Sequence, residues 1–114
     1  MAESEVQDKL MSLPEAVRTF VADGCRLRSC GIGLRRAMAF VYEIIRQRKR
    51  DLTFVISGMT EDADMLVGAG CLERIEGSYF GLEAFGLAHC YRRAAEQGIP
   101  RRIEVEEYSN FGMT

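Results

Sequence analysis

A nearly continuous apolar run at residues 51–57 constrains the fold of this chain more than any other feature. After Asp51 the run reads LTFVIS, without the strict alternation expected of a strand that has one solvated face. Strands of this kind are typical of parallel sheets that are covered on both sides. The segment therefore predicts a central strand of an α/β fold.

Strand and helix patterns alternate along the rest of the chain. The patterns predict further strands at residues 25–32, 71–80 and 102–109, and helices at residues 12–24, 35–49, 60–70 and 82–98. Alternation of strands with helices favours parallel pairing, because each crossover returns the chain to the same sheet edge. We expect a Rossmann-like parallel sheet with helices on both faces.

Capping signals predict where several of these helices begin and end. Ser12 and Glu15 have the spacing of a capping box, and Gly24 follows as a stop signal. Thr60 is the predicted cap of the third helix, acidic residues occupy its first turn, and Gly70 is its predicted stop. Residues 1–11 then form an N-terminal tail, and residues 12–114 form the domain.

Composition and charge exclude several classes of partner. The chain has 114 residues, of which 47% are hydrophobic, so it can fill the core of one domain. Its net charge is −2, and the basic residues are spread over several elements, which predicts no nucleic-acid partner. No segment approaches the roughly 20 apolar residues of a membrane helix, and no signal peptide is evident. We expect a cytoplasmic protein without a membrane partner.

The cysteines give no sign of a metal site. The four of them form no C-x-x-C pair, and the chain has one histidine, so the usual zinc-ligand spacing is missing. We interpret them as small hydrophobic residues of the core. His89 and Cys90 are adjacent, but neighbouring helix residues point in different directions, so we do not interpret them as a base and nucleophile.

Two glycines mark the first connection from strand to helix. Gly31 and Gly33 lie where ligands bind in parallel α/β sheets, beyond the carboxyl end of a strand. A dinucleotide fingerprint would need a third glycine, but that position is Arg36. Asp51 lies at the start of the second strand, whereas a ribose-binding acid should lie near its end. The turn is therefore not interpreted as an NAD site.

Three stretches of this sequence resemble a known family. They read DGCRLRSCGIGLRRAMAFVYEIIRQRKRDLTFV, DMLVGAGCLERIEGSYFGLE and IEVEEYSNFGMT. In order and spacing they resemble the N-terminal part of the α subunit of family I CoA-transferases, the group of glutaconate, 3-oxoacid and 3-oxoadipate CoA-transferases. The resemblance covers about residues 13 to 114, and it implies an α-subunit domain that is truncated after its fourth strand.

The resemblance implies a transferase that moves coenzyme A between an acyl-CoA and a carboxylic acid. In the family the nucleophile that attacks the thioester is a glutamate of the β subunit, so we assign no catalytic residue to this chain. The implied partner is a β subunit in a hetero-oligomer, and the chain is expected to be inactive alone. The CoA thioester is a substrate, and we expect no permanently bound cofactor and no metal.

The resemblance also suggests which residues contact the substrate. Backbone N–H groups at Gly31 and Gly33 would stabilise the oxyanion that develops on the thioester. Arg36 matches the family pattern and could contact the phosphates of coenzyme A, whereas Arg35 is interpreted as a solvated helix end. Ser57 and Gly58, at the end of the second strand, are expected to line the acyl or CoA pocket.

Two carboxylate and cation features complete the candidate list. Glu83 follows the third strand and is a candidate substrate-binding residue. It is the one glutamate that we expect near the carboxyl ends of the strands, where parallel sheets bind their ligands. The run RQRKR, residues 46–50, falls at the C-terminal end of a predicted helix, where cations complement the helix dipole. We interpret it as a solvated surface at the edge opposite the ligand.

The sequence departs from the family in the same region. Family members usually have two glycines and a phenylalanine where this chain has Cys30-Gly31-Ile32, so the loop could be impaired. Arg26 and Arg28 fall on one side of the first strand, which is usually apolar. Burying them without partners would be costly, so either that face is open or nearby carboxylates pair with them.

Three alternatives to the transferase stay open. One is a CoA-thioester hydrolase or ring-opening subunit of the same fold, in which the pocket activates water. Another is a non-enzymatic ligand-sensing or assembly module, because one fold serves several functions. The third is a fragment without activity of its own.

Overall fold

The computed structural model describes residues 8–30, 35–58 and 60–113. The helices are α1 (Leu13–Phe20), α2 (Met38–Arg46), α3 (Glu61–Gly68) and α4 (His89–Gln97). The strands are β1 (Arg26–Arg28), β2 (Leu52–Ile56), β3 (Leu72–Gly77) and β4 (Glu104–Glu107). Two short 3-10 turns occupy Glu83–Phe85 and Phe111–Met113. Gly31 and Gly33 lie outside the described residues.

The four strands form one parallel sheet in the order β1-β2-β3-β4. Its register aligns Leu27 with Phe54, Phe54 with Ile75, and Ile75 with Val105. The Rossmann-like parallel sheet predicted from the sequence is therefore confirmed. Because all four strands run in the same direction, their carboxyl ends lie along one edge.

The apolar core lies on the face of the sheet that carries this row of side chains. Helix α3 packs between α2 and α4 over this face, as expected when successive crossovers have the same hand. Phe54, Ile75, Ile44 and Leu66 are at most 2% exposed in this core. On the opposite face, among the described residues, the 3-10 turn Phe111–Met113 covers one part, and its Met113 carbonyl accepts a hydrogen bond from Arg28 at 3.2 Å.

The two alternatives given for the arginines of the first strand were an open face and pairing with nearby carboxylates, and both are confirmed. Arg26 forms an ion pair with Glu76, yet 66% of its side chain stays exposed. Arg28 is also exposed. The face is open and a carboxylate pairs with one of the two, so these cations retain hydration while they lie on the sheet.

The predicted capping box of α1 is confirmed. Ser12 Oγ accepts from the amide of Glu15 at 3.4 Å, and the Glu15 carboxylate accepts from the amide of Ser12 at 3.2 Å. Hydrogen bonds from Ser12, the side-chain one first, hold the pKa of Glu15 below its ordinary value. The helix ends earlier than predicted, at Phe20, and Gly24 instead forms a turn with φ of 78°.

The third helix ends as predicted but begins differently. Gly70 follows it in the left-handed region, with φ of 73°, which suits glycine. The side chain of Thr60 does not cap the helix. Its hydroxyl instead donates to Asp62 Oδ1 at 3.3 Å.

The predicted helix over residues 82–98 is wrong in its first half. Gly81 and Leu87 form an antiparallel bridge around the turn Glu83–Phe85, and α4 begins only at His89. Its N-terminus is capped from a neighbouring helix, because Asp64 accepts from the amides of Cys90 at 3.3 Å and Tyr91 at 2.8 Å. The predicted end at Gly98 is confirmed by its φ of 70°.

The cysteines divide into three packed residues and one exposed residue. Cys71 is buried in the core, and Cys25 and Cys90 pack against the core from partly buried positions, as the sequence interpretation requires. Burial raises the pKa of these three thiols. Cys30 is exposed, so the interpretation as a core residue is wrong there.

Candidate functional site

A cleft of about 270 Å³ lies at the carboxyl edge of the sheet. It contains four of the residues predicted to contact the substrate, namely Arg36, Ser57, Gly58 and Glu83. They come from three separate segments of the chain, so only the fold brings them together. The remaining lining residues are Thr60, Tyr79 and Asn110.

Gly58 leaves open space beside the end of β2. A Cβ atom built on Gly58 would meet no other atom within 4 Å. The neighbouring strand end is much tighter, because a Cβ on Gly77 would lie 2.7 Å from the carbonyl oxygen of Ile56. Glycine at position 77 therefore allows β3 to approach β2, whereas position 58 could accept a side chain.

Arg36 is the buried cation of the cleft. Only 7% of its side chain is exposed. Its Nη1 donates to the carbonyl oxygen of Gly58 at 3.0 Å and to Asp62 Oδ2 at 3.2 Å. Its Nε is buried and has no hydrogen-bond partner among the described residues. The guanidinium thus connects the segment before α2 with the loop after β2.

Asp62 is the acceptor at the centre of this region. Its side chain is 1% exposed and forms the ion pair with Arg36. It also accepts from Ser29 Oγ at 3.4 Å, from Thr60 Oγ1 at 3.3 Å and from the amide of Ala63 at 2.9 Å. Sequence reasoning treated Asp62 as one of several first-turn acids of a helix and missed this role. Nothing in its local sequence separates it from Glu61.

The segment after β3 forms the opposite wall. Glu83 has a left-handed backbone with φ of 52°, and its amide donates to the Tyr79 hydroxyl at 3.2 Å. A Cβ on Gly81 would lie 2.5 Å from that hydroxyl oxygen, so the tyrosine ring needs glycine there. Non-glycine residues in this region cost on the order of 1–3 kcal/mol, and such strain is common at binding sites.

A serine hydroxyl connects the ends of three strands. Ser78 Oγ lies in hydrogen-bond contact with the carbonyl oxygen of Ser57 and with Asn110 Oδ1. Ser57 follows β2, Ser78 follows β3 and Asn110 follows β4. The contribution of Asn110 had no signal in the sequence, because it lies beyond the last predicted strand in a short turn.

The cleft carries little free positive charge in the part of the chain that the structure describes. The cation of Arg36 faces the buried carboxylate of Asp62, and Glu83 adds an exposed carboxylate. Hydroxyl and amide groups supply most of the remaining polarity. Such a lining suits an uncharged polar group better than a phosphate.

Three further observations concern other parts of the chain and other kinds of site. Within the described ranges, His, Cys, Asp and Glu side chains form no group of three or more that could hold a metal ion. No helix in the same ranges is long and apolar enough to cross a membrane. The run at residues 46–50 begins at the last residue of α2, and Arg46, 72% exposed, pairs there with Glu43.

Comparison with curated proteins finds relatives across nearly the whole chain. An uncharacterized protein of Archaeoglobus fulgidus is 43% identical over 108 residues, covering 93% of this chain and 24% of that protein. The A subunit of the 3-oxoadipate CoA-transferase of Pseudomonas knackmussii is 39% identical over 104 residues, covering 90% and 36%. The chain therefore spans about a quarter to a third of the length of these relatives.

Solved structures share the fold. A variant of the decarboxylase AibA/AibB matches with a TM-score of 0.77 and 32% identity over 89% of this chain and 38% of that chain. Glutaconate coenzyme A-transferase from Acidaminococcus fermentans matches with a TM-score of 0.79 and 29% identity over 91% and 32%. The family model described as Coenzyme A transferase matches residues 10–114. The chain therefore belongs to the coenzyme A transferase family.

Proposed function

We propose that this chain supplies the α-subunit part of a CoA-transferase active site, at which coenzyme A moves between an acyl-CoA and a carboxylic acid. One observation carries the proposal. Arg36, Ser57, Gly58 and Glu83, each predicted from the sequence to contact the substrate, line one cleft at the carboxyl edge of the sheet. Parallel α/β sheets bind their ligands at this edge. A relative that bears the name of a CoA-transferase A subunit supports the same assignment.

In this proposal the covalent chemistry belongs to a partner subunit. A partner glutamate attacks the thioester carbonyl and releases the CoA thiolate, which then attacks the resulting anhydride to give a glutamyl-CoA thioester and free acid. The described chain contributes binding and orientation. Gly31 and Gly33 would donate backbone N–H groups to the developing oxyanion, and Ser57 and Gly58 would line the pocket for the thioester.

Arg36 and Glu83 have different proposed roles in the same cleft. Arg36 would orient the bound CoA thioester mainly by holding the Gly58 carbonyl in place, because its Nη1 already contacts Gly58 and Asp62. Glu83 faces the acyl group or the acceptor acid from the opposite wall. Its carboxylate would disfavour a second anion nearby unless a cation of the partner is also present.

A second candidate is another reaction on a thioester in the same pocket. A decarboxylase shares this fold at 32% identity, so the family fold supports more than one reaction. A hydrolase or ring-opening subunit would use the cleft to place water against the thioester. The partner subunit, which would supply the catalytic residues, would decide between these reactions, and the described cleft would serve each of them as a binding surface.

Gly58→Val tests the proposed cleft directly. The position has open space beside it, so the variant should fold, while its side chain would occupy part of the cleft. In calorimetric titrations of the chain assembled with its partner subunit, we expect acetyl-CoA to bind this variant about tenfold or more weakly. Ala69→Val, which adds a similar group beyond the C-terminal end of α3, should leave the affinity unchanged.

An exchange assay on the same complex separates the candidate functions. Transfer of coenzyme A to an acceptor acid supports the transferase, whereas release of free CoA without an acceptor supports a hydrolase. Binding without either reaction would support a ligand-sensing module. A folded, assembled complex that neither binds acetyl-CoA nor exchanges it would reject the proposed function.

A further inference from the structure

We propose that Asp62 is a positioning residue that fixes Arg36 and, through it, the Gly58 wall of the cleft for turnover. The inference rests on the proposed function, since turnover means reaction of a CoA thioester. Asp62 itself is not among the residues that line the cleft. Its effect on the substrate would therefore be indirect.

The first support is the number of separate segments that Asp62 holds. Ser29 follows β1, Arg36 precedes α2, and Thr60 precedes α3, and each donates a side-chain hydrogen bond to this carboxylate. Ser29 and Arg36 also stand on either side of residues 31–34 in the sequence. One buried carboxylate thus joins the end of the first strand to the start of the second helical segment.

The second support is the way in which Arg36 is shared. Its Nη1 reaches both Asp62 Oδ2, at 3.2 Å, and the Gly58 carbonyl oxygen, at 3.0 Å. With 7% of the arginine side chain and 1% of the aspartate side chain exposed, little water competes for these groups. The ion pair therefore selects one position of the guanidinium beside the cleft.

Loss of the Asp62 charge would free the Arg36 guanidinium from its position beside the cleft. An asparagine has one acceptor oxygen, and its NH₂ group would face donors of Arg36 or Ser29. The unpaired guanidinium would then move toward water or another acceptor, since a buried charge without its partner is costly. A displacement of about 1 Å near reacting groups can lower turnover on the order of a hundredfold.

Asp62→Asn and Glu76→Gln form a matched pair for the test. Both variants remove a buried carboxylate that pairs with arginine, but the arginines that pair with Glu76 do not line the cleft, whereas Arg36 does. In the complex assembled with the partner subunit, we expect Asp62→Asn to lower kcat about tenfold or more while KM changes by less than about threefold. Glu76→Gln should also lower Tm, though by less because its arginine partners can reach water, and it should leave kcat near that of the wild type.

Two further variants keep the test decisive if Asp62→Asn does not fold. Asp62→Glu retains the carboxylate but moves it by one methylene, so it should fold and still lower kcat. Arg36→Lys retains the positive charge but has no guanidinium fork, and it should lower kcat in the same way. A purely structural role predicts lower Tm with kcat preserved in the folded fraction, which would overturn the inference.

The NMR signal of the Arg36 Nη1 protons, which contact Asp62 and Gly58, gives a readout that needs no activity. We expect this NMR signal to exchange slowly in the wild type and in Glu76→Gln, and rapidly in Asp62→Asn. An unchanged signal in Asp62→Asn would overturn the inference. If the wild type shows no reaction with CoA thioesters, the proposed function fails, and the resonance alone decides whether Asp62 fixes Arg36.

Discussion

The two faces of the sheet are built from alternate residues of the same strands, yet they differ in chemistry. On one face, side chains such as Phe54 and Ile75 are at most 2% exposed beneath the helices. On the other face, the adjoining residues of β3 are Arg74 and Glu76, which take part in a network of ion pairs. The helices therefore cover the apolar face, whose removal from water stabilises the fold, and the ionic face keeps part of its hydration.

This difference shows where the stability of the domain comes from. Burial of an isoleucine or phenylalanine side chain contributes roughly 1.5–3 kcal/mol. Ion pairs that remain partly exposed contribute about 0–1 kcal/mol each. Arg74 keeps 33% of its side chain exposed and Glu104 keeps 70%, so most of the network belongs to the weaker class. Glu76, at 8%, is the exception.

The candidate site lies at the edge where the two faces meet. Its geometry depends on polar contacts made after the strands end, such as Arg36 with Asp62 and Ser78 with Asn110. The apolar face supplies a rigid base for these contacts. The network around Asp62 consists of charged and polar groups, like the ionic face, but it is buried, like the apolar face. Each of its groups therefore needs a hydrogen-bond or ion-pair partner.

The largest expected effect comes from shortening a core side chain on the apolar face. Ile75→Ala should lower the free energy of unfolding by about 2–5 kcal/mol, because it removes buried methyl groups and leaves a cavity. Urea denaturation measures the change. Val55→Ala, on the ionic face at 9% exposure, should cost less. An equal cost at position 55 would contradict the difference between the faces.

An intermediate effect is expected from the one well-buried carboxylate of the ionic face. Glu76→Gln removes the charge that pairs with Arg26 and Arg74, both of which can turn toward water. We expect a loss of about 1–2 kcal/mol in the free energy of unfolding. Glu104→Gln, at an exposed position, should cost less than about 1 kcal/mol. A larger loss in the free energy of unfolding for Glu104→Gln than for Glu76→Gln would contradict this prediction.

The smallest effect concerns a carboxylate on the helical side. Hydrogen bonds from Gln47 and then from Arg46 hold the pKa of Glu43 below its ordinary value of 4.5. A lowered folded pKa adds stability above the ordinary value, and that stability is lost as pH falls through the folded pKa. Denaturation at about pH 7 and about pH 3.5 should show a smaller acid loss for Glu43→Gln than for the wild type. Equal losses would exclude this contribution.

The fold was largely predictable because it follows from local patterns. The apolar run at residues 51–57 predicted β2, and the spacing of Ser12 and Glu15 predicted the start of α1. Each of these signals acts over a few residues, so the sequence displays it directly. The predicted helix at residues 82–98 was wrong in its first half because its true start depends on Asp64, which lies on another helix.

The candidate site was predictable only in part, for the same reason. The strand-end rule pointed to Ser57, Gly58 and Glu83, because position along a parallel strand determines which edge a residue reaches. It could not identify Asp62, whose importance comes from donors 26 and 33 residues earlier in the chain. Asn110 was missed because its contact with Ser78 forms only when β3 and β4 pair.

The sequence by itself determined the order of strands and helices, the parallel sheet and the edge at which the candidate cleft lies. These depend on hydrophobic periodicity and on capping residues, which are local properties of the chain. The tertiary structure decided which face of the sheet would be covered and which polar groups would meet at Asp62. Those outcomes depend on pairing between distant segments, because a buried charge is stable only where the fold brings its partners to it.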